Sequence, residues 1–174
     1  MAGKGSGKLV VTLPSDKEIL LEREFDAPRH LVFEAMTKPE HVRRWWCCMD
    51  GFTMTACEID FRVGGRWRFA MRGPDGNELG FRGEYKEISA PERIVNTEVF
   101  EPFPDSPALV TVTLVERGGK TYYRSLVLHQ SKEDRDMHVS SGMEVGAGLA
   151  LDRMEEVARS ISSSDAGTCT QAPA

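Results

Sequence analysis

Between residues 53 and 129, apolar and polar side chains alternate with the period of two that marks half-buried strands. The clearest stretch is 64–76, GGRWRFAMRGPDG, where Trp67, Phe69 and Met71 alternate with Arg66, Arg68, Ala70 and Arg72. Pro74-Asp75-Gly76 closes it as a tight turn, because proline pre-sets φ, aspartate bonds its own backbone and glycine is free to take φ > 0. The alternation predicts strands over 53–61, 66–72, 79–88, 94–100, 109–116 and 121–129. Gly64-Gly65, Ala90-Pro91-Glu92 and Gly118-Gly119 supply further turns, and the short links predict an antiparallel meander. Pro102, Pro104 and Pro107 make 98–108 a looser loop.

Outside the meander the pattern changes. Residues 18–25 read as a strand in which Ile19, Leu21, Arg23 and Phe25 share a face. Asp26 is placed as an N-cap, with Pro28 in the first turn of a helix over 28–36 that gathers Leu31, Val32, Ala35 and Met36. Pro39 opens a second short helix over 39–45, carrying His41 and Val42. Residues 134–138 start a turn, and 140–161 form a long amphipathic helix with Met143, Ala147, Leu151, Met154 and Val157 or Ala158 at helical spacing. Three segments result: a flexible 1–16 in which residues 9–13 can add an edge strand, a folded domain over 17–161, and a small, polar, disordered tail over 162–174. The class is α+β: a curved antiparallel sheet of about six to seven strands around a long C-terminal helix, with two short helices after the first strand.

A length of 174 residues suits one domain with one core. The formal net charge of −5 argues against a general nucleic-acid partner, which needs a concentrated basic surface. Arg62, Arg66, Arg68 and Arg72 do form a basic face, read as a solvated strand surface paired with Glu58, Asp60 and Glu84. Cys47, Cys48, Cys57 and Cys169 offer no zinc spacing and no disulfide framework, so a reducing, cytoplasmic setting is expected. The apolar run LVVTL is too short for a signal peptide, and no run approaches membrane-spanning length.

Catalytic signatures are absent, including GxSxG, HExxH, the phosphate loop and the dinucleotide fingerprint. No cofactor or metal is called for, and with no catalytic motif whether the chain is an enzyme stays open. His30 and His41 fall on the short helices. His129 ends a strand and His138 precedes the long helix, so these two approach one rim of any cavity, or are ordinary polar residues at element ends. Trp45 and Trp46 either divide between plugging the core and closing a pocket mouth, or both pack structurally. Cys47 is a candidate thiol with no sequence evidence of activation, and Cys57 reads as a small buried hydrophobe.

Four segments carry a resemblance to a known family: 23–46, REFDAPRHLVFEAMTKPEHVRRWW; 51–76, GFTMTACEIDFRVGGRWRFAMRGPDG; 82–95, RGEYKEISAPERIV; and 142–157, GMEVGAGLALDRMEEV. Their order and spacing resemble the SRPBCC, or START-like, superfamily with its helix-grip fold. Within it the chain is similar to the branch named for the activator of the 90-kDa heat-shock protein ATPase. Members of that branch commonly carry Gly-Pro after the paired tryptophans, where this chain has Cys47-Cys48. They also commonly carry a tryptophan where this chain has Ala147, between Gly146 and Gly148. The resemblance implies either a repacked interior or a roomier cavity, with a kink near the two glycines.

The fold so implied is expected to bind a small hydrophobic ligand between the C-terminal helix and the sheet. The expected wall comprises Trp46, Trp67, Phe69, Met71 and Tyr85 with Leu126, faced by Met143, Ala147 and Leu151, and His129 or Tyr85 orients the ligand. The alternatives are a module that contacts the 90-kDa chaperone, which rests on the branch name, and an enzyme acting on a hydrophobic substrate in the same cavity.

Overall fold

The computed structural model describes residues 7–47 and 49–165, with side chains described as far as Ile161. Eight strands form one curved antiparallel sheet: β1 (Val10–Thr12), β2 (Glu18–Phe25), β3 (Thr53–Ile59), β4 (Arg66–Arg72), β5 (Glu78–Ser89), β6 (Arg93–Phe100), β7 (Ala108–Arg117) and β8 (Lys120–Leu128). Their order is β1-β2-β8-β7-β6-β5-β4-β3, so β3 to β8 are the expected meander and β2 closes onto β8. Between β2 and β3 lie α1 (Arg29–Thr37) and α2 (Pro39–Trp45), and after β8 come α3 (Lys132–Ser140) and α4 (Met143–Asp165).

Residues 10–12 form the edge strand that 9–13 were expected to add, with Val11 opposite Leu21. Two features differ from the sequence expectation. The segment 132–140 is a full helix rather than a turn. The Ser131 hydroxyl accepts from the Asp134 N–H at 3.1 Å, and acidic Glu133 and Asp134 sit in its first turn. Helix α4 runs on to Asp165, past the expected start of the tail at 162; residues 166–174 lie outside the described residues.

Asp26 is not the N-cap of α1. That position is Pro28, which has no side chain able to cap. The Arg29 N–H donates instead to Glu116 Oε1 of β7 at 2.9 Å, so a distant strand satisfies one of the helix's orphan donors.

Register fixes the faces of the sheet. Ile19, Leu21, Arg23 and Phe25 stand opposite Val127, Ser125, Tyr123 and Thr121, and all eight are buried. Val110 and Val112 continue these rows on β7, and Trp67, Phe69 and Met71 extend the face on β4. This concave face looks toward the helices. Leu151, Met154, Val157, Ala158 and Ile161 of α4 are buried in the same core as Leu31, Val32 and Ala35 of α1. Burial of that stripe is what holds α4 in place, at about 1.5–3 kcal/mol for each large aliphatic side chain.

Candidate functional site

The concave face is apolar and aromatic toward β3–β5 and carries polar groups toward β2 and β6. On the aromatic side, Trp46 at the end of α2 packs on Phe69 and Phe81, with ring centroids 5.4 and 5.5 Å apart. Trp67 lies 4.9 Å from Phe69, and Tyr85 meets Phe61 edge-on at 5.1 Å. Of the paired tryptophans, Trp45 is the structural one: its Nε1 donates to the Ala35 carbonyl at 2.8 Å and ties α2 to α1. Trp46 joins the concave aromatic wall.

Glycine makes room for that wall at one point. Trp67 pairs with Gly83 across the strands, and a Cβ at Gly83 would sit 2.6 Å from the indole Nε1 and 1.8 Å from the Thr97 carbonyl oxygen. The indole therefore crosses the bare backbone of β5. Its N–H is buried without a hydrogen-bond partner.

The polar side is organised by two elements. Arg23 on β2 is 2 % exposed and donates to Asp152 and, at 3.3 Å, to Glu155 of α4, which is equally buried. Its guanidinium also stacks on Phe25, 5.1 Å from the ring centroid. The second element is β6. Asn96 pairs with Val110 and Tyr85, and Glu98 pairs with buried Ala108, so both side chains turn to the concave face. Burial alone pushes the Glu98 carboxyl up to about 7, against an ordinary value of 4.5. No hydrogen bond or ion pair reaches that carboxyl among the described residues, yet the side chain is still partly exposed. Tyr123, on the same face, is pushed up to about 12 by burial first, with the Glu98 charge contributing. Tyr85 is also raised, chiefly by burial, and its hydroxyl has no hydrogen-bond partner among the described residues.

Helix α4 runs over these rows in the same direction as β2, since Glu155 reaches Arg23 and Arg159 lies 3.8 Å from Asp26. Its first turns therefore lie toward the Glu98 end, at 1.5 Å per residue. Leu151 is fully packed, whereas Met143 and Ala147 are half-buried against the core. Gly148 precedes Asp152 by one turn and Glu155 by two, on the stripe that reaches Arg23. A Cβ at Gly148 would meet nothing within 4 Å, and the same holds at Gly146. The helix nevertheless continues through both glycines.

Of the expected wall, Trp46, Trp67, Phe69, Met71, Tyr85, Met143, Ala147 and Leu151 belong to the elements that enclose the concave face. Leu126 does not: Tyr123, Ser125 and Val127 face inward, so Leu126 turns outward with Tyr122 and Arg124. His129 lies past the end of β8, its Nε2 3.0 Å from His138 Nδ1 of α3. Burial, then the neighbouring ring, pulls His138 down to about 4, and burial lowers His129. The histidines thus join α3 to the sheet end rather than lining the aromatic wall. On the outer face, Arg68 pairs with Glu101 at 2.7 Å and Glu78 at 3.3 Å, and Arg62 pairs with Asp60. Cys57 is buried and its thiol pKa raised by burial, as expected of a packing residue, while Cys48 and Cys169 lie outside the described residues.

A family model for activator of Hsp90 ATPase homolog 1-like proteins matches residues 26–159. The chain belongs to that family. No curated protein matches it. Solved structures agree on the fold. A Rhodobacter sphaeroides protein is 24 % identical with a TM-score of 0.80, covering 88 % of this chain and 99 % of its own. A Nitrosomonas europaea protein is 22 % identical with a TM-score of 0.76, covering 87 % and 99 %. An AHSA1-like protein from Aeromonas hydrophila is 18 % identical with a TM-score of 0.61, covering 89 % and 99 %. The α+β helix-grip architecture is shared throughout.

Proposed function

We propose that this AHSA1-like domain binds a small hydrophobic molecule between α4 and the concave face of the sheet. The observation that carries the reading is the contrast along α4. Its second half is sealed by Leu151, Met154 and Val157, while over the Glu98 end Met143 and Ala147 stay half-buried. Aromatic rings of Trp46, Phe69 and Phe81 pack together on the concave face and offer large apolar area. Unused polar groups, the Tyr85 hydroxyl and the Glu98 carboxyl, supply the few orienting contacts such sites use. Apolar burial would drive binding.

Native mass spectrometry of the purified protein, compared with denaturing conditions, tests this directly. A bound mass that disappears on denaturation supports the proposal and gives the ligand class. An apo mass, with no stabilisation by naphthalene-sized apolar probes in a thermal-shift series, overturns it.

A further inference from the structure

We propose that the ligand is a cationic amphiphile whose positive group is held by Glu98, with its apolar body against the aromatic wall; this rests on the binding reading above. The first argument is charge balance across the interior. Arg23 is taken by Asp152 and Glu155, and Arg159 at the far end lies between Glu155 and Asp26. Glu98 has no cation among the described residues, although its neighbours in the rows, Ala108 and Val110, are buried. A carboxylate turned into a protein interior without a counter-charge is costly, and the group that relieves it best is a positive one.

The second argument is the company Glu98 keeps. In the antiparallel register it falls in the row of Gly83 and Trp67, one step from the row of Tyr85 and Asn96. Phe81 and Phe100 pair in the next row on the other side, their centroids 4.9 Å apart. Aromatic faces around a carboxylate are the recurrent receptor for ammonium and guanidinium groups, because ring quadrupoles and the anion attract the same charge. A neutral ligand of equal shape would gain the apolar contact alone.

A matched pair of probes separates the two contributions: 2-naphthylmethylammonium and 2-naphthylmethanol, titrated calorimetrically into the full chain and into Glu98→Gln. The ammonium should bind the wild type about tenfold or more tightly than the alcohol, the scale of a hydrogen bond to a charged group. In Glu98→Gln that preference should vanish, with a cooperative thermal melt showing that the variant is folded. Equal wild-type affinities, or a preference that survives in Glu98→Gln, overturn the assignment of the cation to Glu98 and leave the binding site standing. Binding of neither probe overturns the assignment together with the site.

Discussion

Arg23 of β2 and Glu155 of α4 meet at 3.3 Å across the interior, and both side chains are almost completely buried. This ion pair ties the long helix to the sheet within the buried stripe that runs from Leu151 to Ile161. Removing one partner of such a pair leaves a buried charge uncompensated, at about 3–5 kcal/mol. Arg23→Met should lose stability on that scale in urea denaturation. Glu155→Gln should lose less, because Asp152 remains on the guanidinium. The double variant Arg23→Met/Glu155→Met should recover most of the loss. Additive losses would show that the pair is not coupled.

Gly83 carries a second constraint. Any side chain there collides with the Thr97 carbonyl at 1.8 Å and the Trp67 indole at 2.6 Å. Backbone cannot yield as a flexible side chain can, so Gly83→Ala should destabilise by about 2 kcal/mol or more, in the overpacking range. It should also shift tryptophan fluorescence, since the indole must move. A variant with wild-type stability and spectrum would place the indole elsewhere.

The meander and α4 were legible because each carries one unambiguous period. Helix α3 was not, because KEDRDMHVS has almost no apolar positions to be periodic; its Ser131 cap was the usable signal. Glu98 was hidden for a different reason. In β6 the sequence alternates Asn96 and Glu98 with Val95, Thr97 and Val99, so patterning alone turns the valines to the core. The register does the opposite, and Val95 and Val99 are buried on the outer face. Leu126 failed the same way: in YYRSLVL both strand faces are partly apolar, and only pairing with β2 and β7 decides between them.

Stability should depend on pH through two groups of opposite sign. Glu98, at about 7 when folded and 4.5 ordinarily, takes up a proton on folding between those values. Its contribution therefore falls as pH rises from about 4.5 to about 7. On the concave side, Tyr123 is a titratable group that feels the Glu98 charge. His138, at about 4 against 6.5, releases its proton on folding, so its contribution rises with pH across that interval. His129 faces it, with Asp134 and Arg135 nearby. Glu98→Gln should be more stable than wild type at pH 8 by about 1–3 kcal/mol, with the gain gone by pH 5. A difference that does not change with pH would mean Glu98 titrates normally.

Gly146 and Gly148 interrupt α4 with the residue least suited to a helix interior. Since a Cβ at either meets nothing within 4 Å, alanine there restores helix propensity without a clash. Gly146→Ala and Gly148→Ala should each raise stability by about 0.5–1 kcal/mol in thermal or urea unfolding. A loss at either position would reveal a neighbour that approaches when the helix moves.

Ala147 tests whether the space beneath the first turns of α4 is usable. It lies on the Met143–Leu151 stripe, half-buried against the core. If that space is open to a ligand, Ala147→Trp fills it and buries on the order of 100 Å² or more of new apolar surface, worth about 2–3 kcal/mol. The melting temperature should rise, and binding of 2-naphthylmethanol should weaken at least about tenfold as the side chain takes the ligand's place. If core atoms already fill the space, the same substitution overpacks it and lowers stability by about 1–3 kcal/mol. A fall in melting temperature with binding unchanged would therefore place the ligand away from α4. A rise with binding lost would show that protein side chain and ligand compete for one volume.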